Sequence, residues 1–216
     1  MEIEDLKDRP GQRLSRSFFI RTDVVHIAQE LLGKVLVTDF GEGQSSGVIV
    51  ETEAYRAPED QASHAANNRR TRRTETMYAP GGHCYIYLIY GMHHLFNVVT
   101  GPVDTAHAVL IRAIQPLENV ALMMHRRGMT TVKTQLSAGP GVLSKALGLS
   151  TDMDAIDMLQ VDSSIWLEDR GYLIHQDQIK IGTRVGVAYA GEDALLPWRF
   201  SIKDNPWVSR GKGVGE

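Results

Sequence analysis

KVLVTDF (Lys34–Phe40) and GVIVETEAY (Gly47–Tyr55), separated by the turn residues Gly41-Glu42-Gly43, are the stretch whose reading decides the fold. Both runs are rich in β-branched residues, and the glycines between them supply a turn, so the segment reads as a β-hairpin. Alternation along the second strand sets Val48, Val50, Thr52 and Ala54 on one face and Ile49, Glu51, Glu53 and Tyr55 on the other. Two carboxylates therefore share a face with a tyrosine. A pair of glutamates pointing to water from a half-exposed strand is the plainer reading of the same pattern.

Outward from the hairpin, more strands follow. HCYIYLIYGM (His83–Met92) has His83, Tyr85, Tyr87 and Ile89 on one face, and Gly91 permits a bend that sets Tyr90 and Met92 at a turn. His93–Thr100 and Ala106–Ile114 form the next antiparallel pair. Arg112 lies inside that apolar run, either reaching an anion or paired with an acid such as Glu51. SSIWLED, IKIGTRVGVAY and WRFSIKD read as later strands. Helices are expected from Thr22 or Asp23 to Leu32, over Pro116–Gly128, and over VLSKALGL after Ser137–Gly141. The fold class is α+β: one domain, a mainly antiparallel curved sheet with surrounding helices, spanning 17–216. Residues 1–16 read as a flexible N-terminal arm.

The chain has 216 residues and a formal net charge of −3. No apolar run approaches the roughly 18 residues of a membrane span, the polar N-terminus lacks an apolar signal core, and the lone Cys84 excludes an internal disulfide. A cytoplasmic protein is expected. The average charge hides a local pattern, because between Ala62 and Val103 Glu75 is the only acid, against Arg69, Arg70, Arg72 and Arg73. Sixteen arginines against seven lysines favour forked contacts to phosphate oxygens, although a solvated loop is the plainer reading.

His83, Cys84, His93 and His94 are close in sequence, but their spacing fits neither paired cysteine zinc motifs nor H-E-x-x-H, so no metal is expected. No glycine-rich nucleotide loop is present, and no cofactor is expected. What remains is a carboxylate near tyrosines and histidines beside a basic loop of long, irregular chain from Arg56 to Gly82. Such a pocket suits a flat, electron-poor ligand, and a damaged nucleobase extruded from duplex DNA fits that description.

VETEAYRAPEDQASHA, YIYLIYGMHHLFNVVT, AVLIRAIQPLE, SAGPGVLSKALG and NPWVS, in that order, resemble the alkyladenine (3-methyladenine) DNA glycosylase family over about residues 15–210. The resemblance implies removal of 3-methyladenine, 7-methylguanine, hypoxanthine or ethenoadenine from double-stranded DNA, leaving an abasic site. It implies Glu53 as the base activating water, with Arg112 beside it. Tyr55, His64 and Tyr87 would sandwich the flipped base, and Asn97 would reject guanine. Tyr90 would be the intercalating wedge and Met92 a groove contact; Arg69, Arg70, Arg72 and Arg73, read from the local charge pattern, are the expected basic surface for DNA. A monomer is expected, nucleoid-associated, or nuclear in a eukaryote. Val142 stands where many relatives carry a lysine, and His93-His94 where others have aromatic or apolar residues.

Lysine is missing between Lys34 and Lys133, a span holding every motif residue, which disfavours a Schiff-base lyase and favours water as nucleophile. Two other readings remain: a non-catalytic nucleic-acid-binding module, which leaves Glu53 without a job, and a glycosidase of nucleosides, which leaves the arginines without one.

Overall fold

The strand Gln44–Tyr55 is buried at all but its two end positions, so it must be covered on both faces and paired along both edges. The computed structural model describes residues 2–215 and shows how this is done. In chain order the strands are β1 (Gln12–Arg13), β2 (Val35–Asp39), β3 (Gln44–Tyr55), β4 (Cys84–Ile89), β5 (His93–Thr100), β6 (His107–Glu118), β7 (Ile165–Asp169), β8 (Ile179–Gly182) and β9 (Arg199–Ile202). The helices are α1 (Arg16–Phe19), α2 (Val24–Glu30), α3 (Val120–Arg127) and α4 (Pro140–Leu147). The described pairings are all antiparallel, in the order β1-β7-β2-β3-β6-β5-β4, with β9 joining β3 to β8. The class is α+β, as expected.

β3 has three partners because it is long. Its first half pairs with β2 (Asp39↔Gln44 to Val35↔Val48), its second half with β9 (Glu51↔Ser201 to Glu53↔Arg199), and its other edge with β6. Register shifts between Ile49 and Thr52 mark a bulge opposite Arg112. The bulge corrects the simple alternation: Ile49 and Val50 both enter the main core, whereas Val48 faces a second cluster with Val35, Val37 and Leu117. Glu51 and Glu53 stay together on the far side.

α2 forms as its spacing predicts. The Asp23 side chain caps it by accepting from His26 N, Val24, Ile27 and Ala28 are buried, and Thr52 Oγ1 donates to Ala28 O at 2.8 Å. The next helix begins four residues later than expected. Pro116, Leu117 and Glu118 continue β6, with Leu117 buried, and the left-handed Asn119 starts α3. IKIGTRVGVAY is strand only as far as Gly182, after which the chain leaves the sheet.

The N-terminal segment is packed, not a flexible arm. A 3-10 turn, Ile3–Asp8, buries Ile3 and Leu6 in the second cluster, Arg170 Nη1 donates to Leu6 O at 2.9 Å, and Gln12 pairs with Asp169. The charged composition concealed two apolar residues three apart, enough for one buried face. Leu6→Ala should cost about 2–4 kcal/mol of stability through the cavity it leaves. Urea denaturation reads this directly, and a loss under half a kilocalorie would show the segment contributes nothing.

Candidate active site

Glu51 and Glu53 are both fully buried, and each is surrounded by donors. Glu51 Oε1 accepts from Arg112 Nε at 2.9 Å, Arg199 Nε at 2.8 Å and Ser209 Oγ at 3.0 Å, and Oε2 from Ser209 N at 2.8 Å. Burial alone would raise its carboxyl; Arg112, Arg199 and Ser209 outweigh that and hold it below the usual range. Glu53 Oε1 accepts from Val185 N at 2.7 Å and lies 3.2 Å from Arg112 Nη1, while Oε2 accepts from Tyr55 Oη at 2.8 Å. Burial weakens the Arg112 cation, but Glu53 and Glu51 together overcome it and keep it charged.

This cluster backs a cavity of about 640 Å³. Tyr55, Arg112 and Val185 line it; Glu53 does not, and sits directly behind those three partners. β4 and β5 supply Tyr85, Tyr87 and Asn97, and the Arg56–Gly82 loop supplies His64. His64 meets Tyr87 edge-on at 4.6 Å between ring centroids, and Tyr85 and Tyr87 are 5.4 Å apart. Burial, Glu53 and Tyr87 raise the Tyr55 hydroxyl well above its ordinary range, and burial pushes Tyr85 up to about 12. Both walls are neutral phenols. Asn97 points its amide nitrogen at Tyr85 O, 3.0 Å, and Leu95 O, 3.2 Å, which fixes the side chain in place.

His64 Nδ1 is 2.9 Å from Tyr85 Oη. The two groups share one hydrogen bond: the hydroxyl donates when the ring proton is on Nε2, and Nδ1–H donates in the other tautomer. Burial first, then Arg73 and Arg69, lower the His64 pKa to about 4. At neutral pH the ring carries no charge, so it does not repel a cationic ligand.

At the rim, Tyr90 is 84% exposed at the tip of the β4–β5 hairpin, with Met92 beside it. Tyr90 and Gly91 both have positive φ (53° and 69°), as primed hairpin turns require; for a tyrosine this is strained. Arg69, Arg72 and Arg73 are exposed on the loop, and Arg73 stacks on Tyr87 at 5.0 Å. Arg70 is differently placed. It bonds Glu75 at 2.6 Å and Asp104 at 2.7 Å and lies over Tyr78, so it clamps the loop. Val142 lines the cavity, His93 packs against Gly141, and His94 Nδ1 accepts from Thr151 N at 3.1 Å. Among the described residues no group of three His, Cys, Asp or Glu could hold a metal ion, and no helix is long and apolar enough to cross a membrane.

The expected residues Arg112, Tyr55, His64, Tyr87 and Asn97 thus meet at one cavity with Glu53 behind it, and Tyr90 stands on its rim. Sequence reasoning missed Val185, Arg199 and Ser209. Arg199 carried a usable signal, an arginine inside the apolar run WRFSI like Arg112 in its own strand; Val185 acts through its main chain and carried none.

The chain belongs to the methylpurine-DNA glycosylase family, whose family model matches residues 17–206. Its relatives include a protein of Chlamydia abortus, 46% identical over 190 residues, covering 88% of this chain and 97% of that one. Proteins of Bacillus cereus (40% over 198 residues) and Bacillus cytotoxicus (42% over 200 residues) each cover 89% of this chain and 97% of their own. All three are provisionally named 3-methyladenine DNA glycosylase.

The lowered His64 pKa has a stability consequence. The folded protein binds this proton less readily than the unfolded chain, so stability falls as pH drops from about 6.5 toward 4. Between pH 7 and pH 5 the native protein should lose roughly 1–2 kcal/mol more than His64→Phe. Equal losses in paired denaturation curves would rule this out.

Proposed function

We propose that the chain flips alkylated or deaminated purines out of duplex DNA and hydrolyses their N-glycosidic bond, leaving an intact abasic site for base excision repair. 3-Methyladenine, 7-methylguanine, hypoxanthine and ethenoadenine form the substrate class. The observation that supports this best is a carboxylate, Glu53, held by Arg112, Tyr55 and the Val185 N–H, three groups that themselves line a cavity walled by tyrosines and histidines.

A purine alkylated at N3 or N7 is cationic, and rings of electron-rich phenols beside a neutral imidazole suit it. When the base enters, the Tyr55–Glu53 bond is exchanged for one from Glu53 to a water. The water oxygen attacks C1′ of the sugar, its proton passes to Glu53, and the N-glycosidic electron pair leaves with the purine. An N3- or N7-alkylated base departs neutral, whereas hypoxanthine or ethenoadenine, uncharged when bound, takes up a proton from water as it leaves. Glu53 also offsets the positive charge that develops on the sugar, and Arg112 keeps the carboxylate in register. Asn97, immobilised by two carbonyls, crowds the position where guanine carries its 2-amino group; 7-methylguanine meets the same crowding, and its cationic ring offsets it as the better leaving group. Arg69, Arg72 and Arg73 offer phosphate contacts, while Arg70 stays on its acid pair.

Glu53→Gln should keep affinity for lesion-bearing duplex and lose about 10²–10⁴-fold in excision, the range of an acid–base group. The assay is alkali-induced cleavage at the lesion. Strand scission by the native protein before alkali, or a borohydride-trapped adduct, would replace hydrolysis by a lyase mechanism. Tyr90→Ala should weaken engagement of duplex substrate by roughly 1–3 kcal/mol, a stacking contact, with little change in bond cleavage once the base is bound. Native activity on duplex would dismiss the wedge role.

A further inference from the structure

The PED sequence after β3 contains an acid that no step above uses. Asp60 is 1% exposed and Arg184 fully buried, and the two form a forked ion pair: Arg184 Nη1 to Asp60 Oδ2 at 2.5 Å and Nη2 to Oδ1 at 2.8 Å. Neither lines the cavity. A buried ion pair adds little net stability, since apolar residues of similar volume often do as well, so its effect is to be sought in what it fixes.

It fixes three separate walls of the site. Arg184 Nη1 also donates to Ala54 O, 2.9 Å, the residue between Glu53 and Tyr55 on β3. Asp60 accepts from Arg56 N and Ala62 N, which shapes the loop just before His64. Arg184 Nη2 donates to Asp193 O, 3.0 Å, and Gln61 N donates to the Asp193 side chain at 2.8 Å, closing the third wall onto the loop. The guanidinium lies 4.8 Å from the Tyr55 ring and 5.1 Å from Trp198. Glu53 has three polar partners: Arg112, the Tyr55 hydroxyl and the Val185 N–H. Arg184 stacks on the second and is the chain neighbour of the third.

We propose that the Asp60–Arg184 pair is a positioning element for Glu53, acting through the Tyr55 ring and the Val185 amide. It rests on Glu53 being the general base. If the pair is loosened, the carboxylate keeps its charge partner Arg112 but loses the two contacts that orient it, and chemistry slows while DNA binding persists.

Asp60→Asn keeps the shape and removes the charge; Asp60→Leu with Arg184→Met removes both charges, leaving no unpaired ion. Each is measured under single turnover with saturating protein on a lesion duplex, and for affinity on a duplex bearing a tetrahydrofuran abasic analogue. Both variants should lose about 10–100-fold in excision rate, as misplacement of a reacting group does, with affinity changed less than about threefold. The same changes added to Glu53→Gln, whose residual rate is read over long incubation, should cost nothing further. Equal losses with and without Glu53 would overturn the proposal and leave Glu53 as the base. Unchanged rates, a loss explained by the active fraction, or failure of both variants to fold would also overturn it. Wild-type excision by Glu53→Gln alone would remove the general-base reading itself, a separate result.

Discussion

Two carboxylates one residue apart on a strand closed to water are tolerable only if cations and hydrogen-bond donors meet them there. The placement of much of the sheet follows from that constraint. β6 bulges where Arg112 is needed, β9 docks on the second half of β3 and brings Arg199, and the segment after β8 abandons the sheet and delivers the Val185 N–H. Ser209 closes the cluster from the far end of the chain. Glu51 takes most of the charge pairing, which leaves Glu53 sharing only one guanidinium and facing the cavity through its partners.

Rigid and strained parts of the site are kept apart. Around the carboxylates the contacts come from strands (Arg112, Arg199) and from chain segments fixed beside them (Val185, Ser209), and they meet two acids that are fully buried, a setting that preorganises charge. The hairpin tip is the opposite: Tyr90 is in a left-handed conformation and mostly exposed. Between them, the aromatic walls are neutral because burial disfavours ionising Tyr55, Tyr85 and Tyr87 and disfavours protonating His64.

Much of this was legible beforehand for identifiable reasons. The β2–β3 and β4–β5 hairpins announce themselves by β-branched and aromatic runs broken by glycine, and the stop of α2 by Gly33, whose φ is +82°. The bulge that turns Ile49 into the core left no mark, because Ile fits either face. The docked N-terminus was hidden by its charges, and the late start of α3 by Pro116, which suits a helix's first turn as well as a strand position. Main-chain donors such as Val185 are invisible to any reading of side chains, and the Asp60–Arg184 pair spans 124 residues that no local pattern connects.

The distances along the chain bear on how the protein is made. Glu51 is synthesised 158 residues before Ser209, and Glu53 132 before Val185. At ribosomal speeds of about 5–20 residues per second, roughly 8–30 s pass before Glu51 can meet Ser209. Until then β3 has its apolar neighbours together with Tyr55 and Arg112, but lacks Val185, Arg199 and Ser209, so the two acids share one guanidinium and their hydration opposes full burial. The candidate site is therefore complete only when residues from both halves of the sequence have met.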